Sequence, residues 1–168
     1  TLHPTLRSVG CNVIRVGIVP TPTVAMGVFK YKAQGGIIIS ASHNPGEWNA
    51  LKLLNSKSEF LDVEQGKAVM ALADKGAFSY VDAFHLGEEI EDTTLLDYHI
   101  ATILALPFID ADRIASKNFK VAVDAVNGAG SYAIPALLER LGVRVSAIHC
   151  TPSGHFPHNP EPLPEHLG

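Results

Sequence analysis

A hydroxyl, an imidazole and an amide stand next to one another at Ser42, His43 and Asn44, where they could bind or transfer a polar group. The apolar run Ile37–Ile39 lies just before them and predicts a strand buried on both faces, of the kind found in parallel sheets. From Ser40 onward the residues are small, polar or turn-forming, so this strand ends in a tight loop. Ligands of open α/β sheets bind beyond the carboxyl ends of strands, and this loop is therefore the first candidate site.

A cation follows on the next predicted strand, which covers residues 49–55. Side chains alternate along a strand, so Leu51 and Leu53 share one face and Lys52 lies on the other. If the two leucines pack inward, Lys52 points away from them and can lean back towards the loop. A hydroxyl beside an ammonium and an imidazole suits phosphate chemistry, because a phosphoserine carries about −1.5 to −2 charges and needs cationic partners.

The loop and this lysine together carry a resemblance to a known family. The run Ser-Ala-Ser-His-Asn-Pro, followed by Asn49 and Lys52, resembles the active-site serine loop of the α-D-phosphohexomutases, which include phosphoglucomutase, phosphomannomutase and phosphoglucosamine mutase. The resemblance implies that Ser42 carries a transferable phosphoryl group. It implies that His43 and Lys52 act beside it as acid/base and charge-stabilising groups, and that Asn44 and Asn49 orient the loop and the substrate.

The same resemblance implies a reaction and its requirements. The enzyme would be an intramolecular phosphotransferase that moves phosphate between O1 and O6 of a hexose phosphate, through phosphorylated Ser42 and a hexose bisphosphate intermediate. Mg²⁺ would bind the serine phosphate, with its remaining ligands beyond Gly168, and hexose 1,6-bisphosphate would act as activator. The 168-residue chain would need missing domains of the same polypeptide and would be inactive alone. Ala50 stands where the family often has glycine, a departure that keeps the residue small.

Three other interpretations of these residues stay open. Asn-Pro and Pro-Gly dipeptides are ordinary turn signals, so Ser42 could cap backbone groups and Lys52 could be a solvated strand residue. A non-catalytic module that binds sugar phosphates would use the same side chains. A serine hydrolase would use Ser42 as its nucleophile, but the sequence lacks the Gly-x-Ser-x-Gly elbow, and the side chain of the neighbouring His43 is expected to diverge from the serine.

Patterns on either side of the loop predict strands and helices that would position it. The apolar run 13–19 predicts a strand, and Thr21 can cap the next helix with Pro22 in its first turn. Gly35 and Gly36 would end that helix. Its predicted apolar face consists of Val24, Ala25, Val28 and Phe29. Together with the strand that leads to the loop, these elements predict a right-handed βαβ unit.

Two more helices are predicted in the following segment. Asp62 and Gln65 predict a capping box on a helix that ends at Gly76. Residues 77–91 lack a period, and the acidic side chains of Glu88, Glu89, Glu91 and Asp92 favour a solvated linker and a helix N-terminus over a cation site. The apolar spacing in the segment 96–104 predicts another helix, ended by Pro107.

A second βαβ unit is predicted beyond a polar boundary at residues 110–118. A strand at 119–124 is followed by the turn Asn127-Gly128-Ala129-Gly130, a helix to Leu141 and a strand at 143–148. The glycine turn could cradle a phosphate, but a tight turn that packs the helix on the sheet explains it better. The segment also resembles the opening of the second domain of the same mutase family.

The predicted fold class is α/β, with three-layer α/β/α units and mixed, largely parallel sheets, in two incomplete units. Residues 1–112 would form domain I, incomplete at its N-terminus, which holds the phosphoserine loop. Residues 113–168 would form domain II, which stops before the metal loop. An exposed sheet edge is expected where the first strand of the family would lie, with a tendency to self-associate into a homo-oligomer.

The composition of the chain limits the kinds of partner that it is expected to bind. The chain is 46% apolar with a net charge of −4 and no basic block, which argues against nucleic acid as a partner. No apolar run approaches the roughly 18 residues of a membrane span, so no membrane partner and a cytoplasmic location are predicted. The two cysteines predict reduced structural thiols. The C-terminal histidines could form a metal site, but their spacing among prolines does not favour one; they are His149, His155, His158 and His166.

Overall fold

The computed structural model describes residues 2–44, 47–161 and 163–166. The helices are α1 (Leu2–Ser8), α2 (Thr21–Tyr31), α3 (Val63–Lys75), α4 (Leu95–Leu104), α5 (Ala111–Ser116) and α6 (Gly130–Arg140). The strands are β1 (Val13–Arg15), β2 (Gly36–Ile39), β3 (Leu51–Leu54), β4 (Glu89–Glu91), β5 (Lys120–Asp124) and β6 (Arg144–Ile148). A 3₁₀ turn covers Pro164–His166. None of the described helices has the length and apolar character that crossing a membrane requires.

Within the described residues the strands pair as three two-stranded sheets. β1 runs parallel to β4, β2 antiparallel to β3, and β5 parallel to β6. The mixed α/β class is confirmed, and so is the second predicted βαβ unit, β5–α6–β6. The first predicted βαβ unit is wrong, because β1 and β2 lie in different sheets and β2 has an antiparallel partner.

The core beside the candidate loop lies between α2 and the β2–β3 hairpin. Val28, Ile38 and Leu54 are its buried members, and the partly buried residues packed on them are Val24, Ala25 and Ala33. A Cβ atom at Gly36 would lie 2.8 Å from Val28 Cγ2, so glycine at this position lets the helix approach the strand closely. Phe29 is 70% exposed, so its predicted place on the apolar face is wrong.

The ends of α2 and β1 differ in detail from the sequence prediction. α2 begins at Thr21, but its cap position is Pro20 and no side chain caps it, so the predicted Thr21 cap is wrong. Lys32, with a left-handed φ of 50°, ends the helix before the glycine pair is reached. β1 stops at Arg15, and the left-handed φ of 69° at Gly17 marks where the chain has left the extended conformation.

The acidic segment near residue 90 is a strand, and the predicted solvated linker is wrong there. Arg15 on β1 forms ion pairs with two residues of β4. Its Nε lies 2.7 Å from Glu89 Oε1, and its Nη2 lies 3.0 Å from Glu91 Oε2. A partner strand more than seventy residues away leaves no trace in the local sequence, which is why the acidic composition was misleading.

Asp92, directly after β4, joins this strand to α2. Its carboxylate accepts hydrogen bonds from the Thr94 hydroxyl and backbone N–H, from the Tyr31 hydroxyl and, at 3.2 Å, from Lys30 Nζ. These contacts hold the pKa of the Asp92 carboxyl well below its usual range, the Thr94 hydroxyl having the largest effect and Tyr31 the next. The side chain is only 9% exposed, so the contacts are largely shielded from solvent.

α4 packs against α2 and completes this part of the scaffold. A Cβ at Gly27 would lie 2.8 Å from Leu95 Cδ2, and the fully buried Thr23 hydroxyl lies 2.9 Å from His99 Nδ1. Burial lowers the pKa of His99. α4 extends over the residues predicted for it.

The capping box on α3 is confirmed. Asp62 Oδ1 accepts the Gln65 backbone N–H at 2.8 Å, Gln65 Oε1 accepts the Asp62 N–H at 3.1 Å, and the helix ends at Gly76. The predicted polar boundary at 110–118 contains the short helix α5, which its sequence composition did not indicate.

Candidate functional site

The candidate loop is the connection between β2 and β3, at the closed end of the hairpin. The strand register pairs Ile38 with Lys52 and Ile39 with Leu51, and the Ser40 N–H donates to the Ala50 carbonyl at 3.0 Å. The loop therefore starts and ends at one hydrogen-bonded pair. Residues 45–46, a proline and a glycine, lie outside the described residues.

Ser42 lies exposed on this loop in a backbone conformation that is rare for its residue type. Its φ is 58°, in the left-handed region that residues with a Cβ seldom occupy. The Ser42 backbone N–H donates to Ser40 Oγ at 3.0 Å, which helps to hold that conformation. Strained residues of this kind cluster at functional sites, where the strain fixes the direction of a side chain. The Ser42 hydroxyl is thus presented to solvent at a set position.

His43 lies between Ser42 and a carboxylate from the far end of the chain. Its Nδ1 is 3.4 Å from Ser42 Oγ, and its Nε2 is 3.6 Å from Glu161 Oε1. The expectation that the serine and histidine side chains diverge is wrong, since the left-handed turn at Ser42 brings both to one side. Sequence reasoning missed Glu161, because no local pattern connects it to a loop more than a hundred residues earlier.

Asn44 and Asn49 bond to the backbone of the loop itself. The Asn44 side-chain amide and its backbone N–H both donate to the Ala41 carbonyl, at 2.9 Å and 3.1 Å. Asn49 Oδ1 accepts the Ala50 N–H at 2.9 Å. These contacts hold the two ends of the loop, and contact of either amide with a substrate stays a prediction.

Lys52 lies on the same face of the hairpin as the core, which corrects the predicted orientation of β3. Leu54 is the buried residue of this strand at 5% exposure, whereas Leu51 is 58% exposed and Leu53 is half-buried, so the prediction that Leu51 and Leu53 form the inward face is wrong. Leu54 lies two residues after Lys52 and therefore on the same face of the strand. Its partner in the strand register is Gly36, and the missing side chain there leaves room below α2 for Leu54 to pack inward. The Lys52 stem is half-buried, and within residues 2–44, 47–161 and 163–166 its ammonium makes no ion pair.

The loop offers a nucleophilic hydroxyl and an imidazole, and the adjoining strand offers a cation that has no acidic partner among the described residues. This set suits transfer of an anionic group to or from Ser42 Oγ. It does not by itself fit Mg²⁺, which needs near-octahedral coordination by oxygen atoms, because one serine oxygen and an imidazole supply too few. In the described part of the chain, the one group of three potential metal ligands is Asp124, His149 and His158, at the edge of the β5–β6 sheet.

Two protein-family models match the chain. The model described as phosphoglucomutase/phosphomannomutase, alpha/beta/alpha domain I matches residues 2–80, and the corresponding domain II model matches residues 97–168. The predicted division at residues 112 and 113 stays a prediction beside these ranges.

Individual proteins of similar sequence and structure carry related names. A phosphoglucomutase/phosphomannomutase from Thermococcus kodakarensis is 39% identical over 96% of the chain and 35% of its own length. A phosphoglucosamine mutase from Clostridioides difficile is 36% identical over 89% of the chain and 33% of its own length. A crystal structure from Thermus thermophilus, provisionally named phosphomannomutase, superposes with a TM-score of 0.78 at 26% identity, over 99% of this chain and 37% of that one. The chain thus spans about a third of the length of the curated relatives that it matches.

Proposed function

The chain belongs to the phosphoglucomutase/phosphomannomutase family, and we propose that Ser42 is the residue through which it passes phosphate between O1 and O6 of a hexose phosphate. The observation that carries the proposal is the exposed Ser42 hydroxyl, held in a left-handed turn with His43 Nδ1 3.4 Å away. The activity belongs to the whole polypeptide, because sugar binding would draw on its other domains. Its homologues are mutases, and their names leave glucose, mannose and glucosamine phosphates as candidate substrates.

Transfer starts from a phosphoryl group on Ser42 Oγ. A sugar hydroxyl attacks the phosphorus, the bond from phosphorus to Oγ breaks, and the sugar becomes a bisphosphate. The proton lost by the sugar hydroxyl ends on Oγ, and His43 Nδ1 is placed to deliver it. After the bisphosphate reorients, the same steps in reverse return its other phosphoryl group to Oγ and regenerate the phosphoserine. A hexose 1,6-bisphosphate would restore the phosphoserine after any loss of its phosphate, which accounts for its proposed role as activator.

Lys52 supplies positive charge for the transferring group. Phosphoryl transfer depends mainly on positioning and on neutralising charge on the phosphoryl oxygens. Lys52 lies near the start of β3, close to the end of the loop, and among the described residues it has no acidic partner that would cancel its charge. Mg²⁺ remains a proposed cofactor whose further ligands would lie outside the described residues, and every step above is carried by the side chains of this chain.

The serine hydrolase alternative has one specific observation in its favour: the Ser42 hydroxyl contacts His43, and His43 in turn contacts the carboxylate of Glu161. His43 Nδ1 lies 3.4 Å from Ser42 Oγ and His43 Nε2 lies 3.6 Å from Glu161 Oε1, and a hydrolase and a phosphotransferase would both use the first of these contacts. The family membership and the missing nucleophile elbow weigh against it. A fluorophosphonate probe separates the two classes, because a hydrolase serine reacts with it and a phosphoserine does not.

Phosphate mapping on the full-length polypeptide tests the proposal. Protein purified from cells and treated with glucose 1,6-bisphosphate should carry one added phosphate, located by fragmentation mass spectrometry on Ser42. The phosphate should disappear in Ser42→Ala and remain in Ser56→Ala, a control at an exposed turn serine. Active enzyme that carries its phosphate on Ser40, or that is never modified at Ser42, would contradict the assignment.

A further inference from the structure

The β5–β6 sheet ends in a second group of polar side chains, none of which belongs to the Ser42 loop. Asp124 is the last residue of β5, His149 directly follows β6, and His158 comes from the C-terminal segment. Because β5 and β6 are parallel, their carboxyl ends meet at one edge of the sheet, where α/β proteins place ligands. This Asp–His–His cluster takes no part in the phosphoryl transfer described above.

A single carboxylate oxygen joins the three side chains. Asp124 Oδ2 lies 3.0 Å from His149 Nδ1 and 2.9 Å from His158 Nε2. The three atoms, one from each residue, all lie within 4.8 Å of one another. A metal ion about 2.0–2.2 Å from each of them would require only small side-chain movements.

Backbone groups orient two of the three ligands from behind. Asp124 Oδ1 accepts the Val126 N–H at 2.9 Å, which leaves Oδ2 free for the cluster. His158 Nδ1 lies 3.0 Å from the Asn159 carbonyl oxygen. Because a carbonyl only accepts, Nδ1 carries the proton of that contact, and Nε2 is the nitrogen left for a metal. An imidazole that donates its second N–H to a carbonyl is the usual arrangement around a bound metal ion.

From this geometry we propose that Asp124, His149 and His158 bind a divalent transition-metal ion of the Zn²⁺ class. Two imidazole nitrogens and one carboxylate oxygen are ligands that Zn²⁺ prefers, whereas Mg²⁺ and Ca²⁺ require oxygen ligands almost throughout. Three protein ligands leave the fourth tetrahedral position to water or to an anionic ligand. On binding, the Nε2 proton of His158 passes to solvent and the His149 proton moves from Nδ1 to Nε2.

The test is metal titration of the 168-residue chain in competition with a chromophoric chelator. We expect saturation at one Zn²⁺ per chain, and we expect Co²⁺ in the same site to show the intense visible absorption of tetrahedral coordination. His149→Ala and His158→Ala should each weaken Zn²⁺ binding by more than about 100-fold, since loss of even an outer hydrogen-bond partner costs about 10–100-fold. His155→Ala is the matched control in the same segment and should leave binding unchanged.

Each remaining result decides the question. Zn²⁺ binding that survives both His149→Ala and His158→Ala would overturn the proposal, and so would an equal loss in His155→Ala or weak octahedral Co²⁺ absorption. Far-ultraviolet circular dichroism monitors the fold of each variant. If an alanine variant unfolds, Asp124→Asn replaces it, because the amide oxygen can still accept from Val126 while the charge that attracts the metal is lost. Unchanged affinity in Asp124→Asn would then refute the site.

Discussion

The two strand-end sites of this protein are built in opposite ways. The Ser42 loop takes its main groups from neighbouring residues, and its amides bond to the backbone of the loop itself. The Asp–His–His cluster takes its groups from positions 25 and 34 residues apart, and they bond to one another. A site of the first kind can be recognised as a sequence motif, whereas a site of the second kind exists only once a sheet has brought its members together.

The largest expected effect on activity is at the Ser42 loop. Ser42→Ala in the full-length polypeptide should lower mutase turnover by at least about 10⁴-fold, because Ser42 is the residue that carries the covalent phosphoryl group in the proposed mechanism. A coupled assay with hexose phosphate and a catalytic amount of bisphosphate measures it. His158→Ala, in the Asp–His–His cluster, is the comparison and should change the same turnover rate by less than about 10-fold. Similar losses in both variants would show that the two sites do not act separately.

Lys52 tests whether the loop draws on the strand that follows it. Lys52→Met should lower kcat/KM by about 10²–10³-fold, the effect of losing one charge-stabilising group. The Met side chain keeps the half-buried stem on the core face, so the melting temperature should be nearly unchanged. Lys57→Met, in the exposed turn after β3, is the control. Activity near that of the unmodified enzyme would make Lys52 a surface residue without a catalytic part.

A substitution at Asp92 tests how much the contacts between β4 and α2 stabilise the fold that supports the loop. Asp92→Asn removes the negative charge of a carboxylate that accepts hydrogen bonds from Thr94, Tyr31 and Lys30. The substitution should lower the free energy of unfolding by about 1–3 kcal/mol. Asp74→Asn, on the exposed surface of α3, should have almost no effect. Denaturant titration of both variants measures the difference, and equal stabilities would contradict the importance of the Asp92 contacts.

The pH dependence of the same difference has a definite sign. The pKa of Asp92 is lower in the folded chain than the roughly 3.9 of an unfolded aspartate. Its contribution is therefore fully present above about pH 4 and is lost as the pH falls towards the folded pKa. The stability gap between the unmodified chain and Asp92→Asn should narrow in acid, and a gap that widens below about pH 4 would refute this explanation.

The smallest expected effect is at Glu161, whose carboxylate joins the C-terminal segment to the Ser42 loop. Its contact with His43 is 3.6 Å long and partly exposed, and such pairs contribute about 0–1 kcal/mol. Glu161→Gln should therefore lower kcat/KM by no more than about 5-fold. A loss of about 100-fold or more would mean that the carboxylate acts as a third member of a Ser–His–Glu system, and it would revive the hydrolase alternative.

Features determined by neighbouring residues could be predicted from the sequence. The loop beyond β2 is one example, since apolar residues give way to turn formers within a few positions. The α3 capping box is another, because Asp62 and Gln65 are three residues apart and satisfy each other's backbone. The β5–α6–β6 unit was also predictable, because its strands follow each other in the chain and pair directly.

Only the tertiary structure decided which strands pair and which faces turn inward. Nothing near Glu89 indicates that it pairs with β1, and Leu54 rather than Leu51 is buried because Gly36 leaves room opposite it. The same holds for the contact of Glu161 with His43 and for the meeting of Asp124 with two histidines. Local patterns reflect the energies of caps, turns and alternation, whereas partners far apart in the chain are selected by packing of the whole fold.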